Sequence, residues 1–322
     1  MPSLERYCSD FCGSDQAWPD LPLPRAAQDL WWAEWISQRH NQRQHSAPLD
    51  ALREHLPQLW ITPRRGAASS ELYRRLVLQG EAASPADQRA APQLEDPAGI
   101  TISLAPHPCG SIPVIHFRAQ TDFVLAVRCL AHRCEPASIQ ATVHAQAVAG
   151  LIHWGLIRDI GREQRCQLLM LHEAPYSSLP ASCIPGDLSD EDWIERSRRW
   201  RLEHELTHIA CKRLVGEMRI NLFDELIADA LGMLAALGQF KAALFLNSLG
   251  LNADGGLRDD ARAHVYLQTL DPQHHGEACQ MVIARARELE ALLHAGSVSR
   301  EPMHLLRVLT HNRLDQPLQP NP

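Results

Sequence analysis

The segment RLEHELTHIA carries two histidines four residues apart, His204 and His208, with Glu205 directly after the first. On a helix, residues at this spacing share one face, about 6 Å apart at the backbone. Both imidazoles can then reach a single ion, and Glu205 points to its side, where a water would lie. H-E-x-x-H is therefore a spacing suited to metal-assisted hydrolysis: two neutral nitrogens hold Zn²⁺ and the carboxylate takes a proton from the water. Alone, the pattern arises by chance in about one chain of this size and composition in twenty. A third ligand has to decide.

Glu225 and Asp229, in DELIAD, supply a candidate. Their neighbours Leu222, Phe223, Leu226, Ile227, Leu231 and Met233 are apolar, which predicts a buried helix. Two carboxylates one turn apart are unfavourable there unless a cation lies beside them. Only residues 216–220 separate this helix from the histidine helix, so the two should be antiparallel or steeply crossed neighbours. Glu225 then meets the histidines, and Asp229 is placed to accept the Nδ1 proton of His204 or His208. The expected set is His204, His208 and Glu225 on one Zn²⁺ per chain, with a fourth position left to water.

Residues 201–233 resemble the gluzincin metallopeptidases, of the thermolysin type. In that group the histidine pair is followed by a glutamate ligand in E-x-x-x-D, here Glu225 to Asp229. The phrases HELTH and VGEMRINLFDELIAD are also similar to an uncharacterised bacterial family. The gluzincin resemblance implies a peptide or amide substrate, and a cleft bordered by the strand RCQLLMLHE, residues 165–173, that pairs with extended substrate. It further implies a downstream oxyanion donor. Tyr266 is preferred to His264 because a phenol donates without titrating near pH 7. The gap between first and third ligands is shorter than in the group, and no substrate-backbone motif is present.

The elements that must position these residues read as an α+β protein, predominantly helical, with a small central sheet and a zincin-like pair of site helices. Residues 1–80 form a helical, Trp-rich region. Residues 81–98, rich in Ala, Pro and acidic side chains, form a loop or linker. Residues 99–188 form a mixed region whose strands are ITISLA, IPVIHFRA, DFVLAVRCL and RCQLLMLHE, with a helix over 137–153. Residues 189–315 form the helical metal-site region, opened by Ser189 as N-cap, stopped at Gly216 and restarted by Asn221. Residues 316–322 form a free tail. Trp31, Trp32, Trp35 and Trp60 read as core anchors, although the N-terminal region would also serve as a protein-docking surface or a lid.

Of the 322 residues, 45% are apolar and 21% charged, the balance of a globular protein. A formal net charge of -7 gives no reason to expect nucleic acid or an anionic membrane as partner. No apolar run approaches the roughly 20 residues that span a bilayer. The polar first residues lack a signal-peptide pattern, so a cytoplasmic location is expected. The nine cysteines, an odd number, read as thiols, the close pairs Cys8 with Cys12 and Cys129 with Cys134 included. The functional expectation is a zinc-dependent, narrow-specificity metallopeptidase or amidase with Glu205 as general base. A metal-dependent enzyme of another reaction type, and a non-catalytic protein with a structural metal, are the alternatives.

Overall fold

The computed structural model describes residues 3–9, 11, 17–42, 48–161 and 165–320. Cys12, and with it the Cys8–Cys12 pair, lies outside the described residues, as do the last two residues of the expected tail. The fold is α+β and predominantly helical, and the chain divides into two compact units: residues 21–173, and residues 1–20 together with 174–322.

Residues 21–173 are built on a four-stranded sheet. Its strands are β1 (Ile100–Ala105), β2 (Ile112–Phe117), β3 (Ala145–Ile152) and β4 (Arg165–His172), in the order β1-β2-β4-β3. Only the β2–β4 pair is parallel. Every residue of β2 is buried, as suits an interior strand, whereas β1 at the edge is buried only at its ends, Ile100 and Ala105. The helix Ala27–Gln42 sets Trp32 fully inside the core, and Trp31, Trp35 and Trp60 pack partly buried against it. Cys129 and Cys134 are buried free thiols in the same core; Cys134 Sγ donates to Gln58 O at 3.4 Å.

Two expected elements are exchanged. DFVLAVRCL lies in a helix, Gln120–Leu130, rather than a strand. Phe123, Ala126, Val127 and Leu130 form its buried stripe at helical spacing, and the Asp122 carboxylate accepts the Glu95 and Asp96 backbone N–H groups. The helix expected over 137–153 does not form: residues 137–144 carry neither helix nor strand, and Ala145–Ile152 are β3. Gly150 there adopts φ +74°, where the register against β4 shifts between Val148 and Leu151, a kink that a helix does not admit. β4 is flanked by β2 and β3, so it offers no free edge to an extended substrate. That corrects the role expected for residues 165–173.

The second unit holds the site on two helices. The histidine helix, Asp190–Leu214, starts at Ser189, whose hydroxyl accepts the Asp192 N–H at 3.1 Å. It ends before Gly216, at φ +79°. The carboxylate helix, Leu222–Leu237, starts at Asn221, whose side chain accepts the Asp224 N–H at 2.8 Å. The N-terminal residues brace that start: Tyr7 OH accepts from Leu222 N at 3.0 Å, and Asn221 Nδ2 donates to Tyr7 O at 3.1 Å. The expected free tail is ordered through residue 320. Leu318 is buried, its N–H donates to Glu288, and Gln319 N donates to Asn312 Oδ1. No single helix among the described residues is long and apolar enough to cross a membrane.

The two site helices approach closely at Gly232. A Cβ there would lie 2.5 Å from Trp200 Cδ1 and 2.9 Å from Trp200 O. Helix propensity alone favours Ala over Gly by about 1 kcal/mol, but overpacking a core contact costs about 1–3 kcal/mol. Gly232→Ala is therefore expected to lower the midpoint of thermal unfolding, against the propensity trend. A rise in that midpoint would show that the close approach is not a constraint.

Candidate metal centre

The antiparallel run of the two helices sets His204 opposite Asp229, and His208 opposite Asp224 and Glu225. His204 Nδ1 is 2.8 Å from Asp229 Oδ1, and His208 Nδ1 is 3.5 Å from Asp224 Oδ2. A carboxylate only accepts, so a neutral His204 carries its hydrogen at Nδ1 and leaves Nε2 bare; His208 Nδ1 makes no hydrogen bond among the described residues, and the charge of Asp224 beside it favours the same tautomer. The two Nε2 atoms face each other at 3.1 Å. Glu225 faces the pair with both oxygens: Oε1 is 3.3 Å from His208 Nε2, and Oε2 is 3.5 Å from His204 Nε2.

These separations test whether a metal fits. Tetrahedral ligands at Zn²⁺ distances lie roughly 3.3 Å from one another; the two Nε2 atoms are 3.1 Å apart, and with one carboxylate oxygen taken from Glu225 all three ligand atoms lie within 4.8 Å of one another. Two bare imidazole nitrogens and a carboxylate at such separations repel unless a cation or protons sit among them. Glu225 is 3% exposed, and its Oε2 has no hydrogen-bond partner within the described residues, which leaves an acceptor for such a cation. Charge agrees with this. Asp224, Glu225 and Asp229 are buried carboxylates, and Arg262 is the guanidinium paired with them, 2.5 Å from Asp229 and 3.6 Å from Glu225. With neutral histidines, one divalent cation brings this set to neutrality. The residues fit the ion.

Without an ion the electrostatics show what the cluster demands. Burial opposes a charge on His208, but Asp224 and Glu225 outweigh it and push its pKa well above the imidazole range. Burial likewise opposes ionisation of Glu225, yet His204, His208 and Arg262 hold its pKa below the usual carboxylate value. Both shifts express a site that seeks positive charge.

The structure brings His204, His208, Glu225 and Asp229 together and gives Asp229 to His204 rather than to His208. Glu205 is half-buried on the next position of the same helix. Tyr266 comes close to the cluster: burial and then the charge of Glu225 push its phenol well above the ordinary range. It thus stands at the ligand carboxylate. His264 is exposed and bonded to Arg258 O at 3.0 Å, and does not join the group.

Four residues of the centre carried no assigned role in the sequence reading. Asp224 accepts from Arg219 N at 2.8 Å and faces His208; its place beside Glu225 at a helix start was the available signal. Trp200, one turn before His204, donates Nε1 to Asp229 Oδ1 at 2.9 Å. Tyr176 OH hydrogen-bonds Asp229 Oδ1 and lies 3.1 Å from His204 Nδ1. Arg262 donates to Tyr176 OH at 2.9 Å and to Asp229 Oδ2 at 2.5 Å. Tyr176 and Arg262 lie outside the two site helices, where no periodicity marks them.

Residues 4–167 and 162–316 match a family of unknown function (DUF7005). The chain belongs to this family. No curated protein and no solved structure matches it. The two matched ranges together span the sheet and the two site helices.

Asp229 has no solvent exposure, and Arg262 loses its closest anionic partner if the charge is removed. Breaking a buried pair in this way costs about 3–5 kcal/mol. Asp229→Asn is expected to destabilise the protein by that amount, read as a fall in the urea midpoint. A shift under about 1 kcal/mol would mean that Asp229 is not the keystone of this cluster.

Proposed function

We propose that the protein is a zinc-dependent hydrolase of narrow specificity, acting on a peptide or amide bond. The observation that supports this most directly is the buried group of His204, His208 and Glu225, one ligand atom from each lying within 4.8 Å of the others. His204, His208 and Glu225 would hold the ion, which when bound would supply Lewis acidity toward a carbonyl and a water. Glu205, adjacent to the first histidine, takes the proton of the attacking water and returns it to the leaving amine. Asp229 keeps the hydrogen of His204 at Nδ1, so that Nε2 stays a ligand.

The test is elemental analysis of purified protein. About one zinc per chain is expected in the wild type, and little or none in Glu225→Ala. Glu205→Gln should retain the zinc yet slow hydrolysis of a responsive peptide or amide by about 10²–10⁴-fold, the usual contribution of a general base. A wild-type chain that takes up no metal after incubation with zinc would end the hydrolase reading.

A further inference from the structure

Asp229 Oδ1 is offered three donors, and the order among them decides what His204 can do. Trp200 Nε1 donates to it at 2.9 Å, His204 Nδ1 lies 2.8 Å away, and Tyr176 OH also reaches it. The Tyr176 hydroxyl has a second choice, because His204 Nδ1 is only 3.1 Å from its oxygen. A hydroxyl has one hydrogen. Directed at His204, it would turn Nδ1 into an acceptor and drive the ring hydrogen to Nε2. That nitrogen faces His208 Nε2 at 3.1 Å and Glu225 at 3.5 Å, and with a hydrogen it is no longer a ligand. Directed at Asp229, the hydroxyl leaves His204 with its hydrogen at Nδ1 and a bare Nε2.

Arg262 sets that choice. Its Nη1 donates to the Tyr176 oxygen at 2.9 Å, and its Nη2 donates to Asp229 Oδ2 at 2.5 Å. One planar fork therefore spans the tyrosine oxygen and the carboxylate and fixes one against the other. Its guanidinium also lies 5.3 Å from the Tyr176 ring, on whose other contact the Trp200 ring stacks at 4.3 Å. The ring has little freedom to carry its hydroxyl elsewhere.

We propose that Arg262 is a positioning residue for the metal ligand His204. It acts by holding the Tyr176 hydroxyl on Asp229 and so keeping the His204 hydrogen at Nδ1. This rests on the reading of His204, His208 and Glu225 as a metal site, but its primary readout does not need the metal. In metal-free protein, imidazole ¹⁵N shifts report the tautomer of His204, assigned by comparison with His204→Gln. The wild type and Tyr176→Phe are expected to show the Nδ1–H form, and Arg262→Gln a shift toward Nε2–H. In zinc competition against a chelator, Arg262→Gln should bind about 10–100-fold more weakly, the usual cost of losing a group that orients a ligand. The double variant should keep the Nδ1–H form of Tyr176→Phe, because the competing hydroxyl is then gone.

A folded Arg262→Gln with an unchanged tautomer would overturn the proposal. So would a double variant that shows the Nε2–H form of Arg262→Gln, since no hydroxyl is then left to drive it. Should Arg262→Gln fail to fold, Arg262→Lys replaces it; one nitrogen cannot hold both oxygens as the fork does, so the same tautomer shift is expected, smaller in size. A wild type that binds no zinc but shows the Arg262-dependent tautomer would refute the metal site and leave the positioning role standing.

Discussion

A carboxylate removed entirely from water has to find its solvation in the protein, and Asp229 finds it from four directions. Trp200 and His204 come from one helix, Tyr176 from the segment before it, and Arg262 from beyond the carboxylate helix. Desolvating an ion without partners costs many kcal/mol, so these contacts are conditions of folding as much as of chemistry. They also dictate backbone packing. Trp200 reaches Asp229 only because Gly232, one turn along the same helix, lets the indole lie against the carboxylate helix.

The remaining charges follow from that arrangement. Asp224 and Glu225 lie in the first turn of their helix, where unpaired N–H groups favour negative charge. Even so, Asp224 Oδ1 and Glu225 Oε2 have no hydrogen-bond partner among the described residues. Arg262 offsets one charge of three. The histidines can offset the others only by taking protons, and doing so would destroy the lone pairs that the geometry gathers. A divalent cation satisfies both requirements at once, which is why charge count and ligand distances point to the same occupant.

How much of this was legible in the sequence depends on how each residue is fixed. His204, His208, Glu225 and Asp229 sit at i,i+4 spacing within single helices, and Ser189, Gly216 and Asn221 mark those helices' ends; local rules suffice there. The short connection at 216–220 then determines which residues of the two helices meet. Tyr176 and Arg262 reach the site by tertiary packing alone, and nothing in their neighbourhoods announces it. The misassigned elements failed for a different reason. DFVLAVRCL is short and apolar, so periods of 2 and 3.6 both fit it, and the buried stripe at 123, 126, 127 and 130 prevailed only through contact with the sheet. AQAVAGLI is rich in alanine, a helix former, but its pairing with β4 and the positive φ of Gly150 override that propensity.

Whether the centre braces two helices or works on a substrate turns on the fourth ligand position. A structural zinc is closed by protein; a catalytic one is held by three residues. Among the described residues, the group that can converge on one ion is His204, His208 and Glu225. The two other carboxylates at hand are committed on the far side of the rings: Asp224 faces His208 Nδ1 and Asp229 faces His204 Nδ1. Neither can swing to the Nε2 side without surrendering the tautomer that makes its histidine a ligand. On the reading proposed above, three ligands whose orientation is so closely controlled would leave the fourth position open, which favours chemistry there over an ion that only supports the fold.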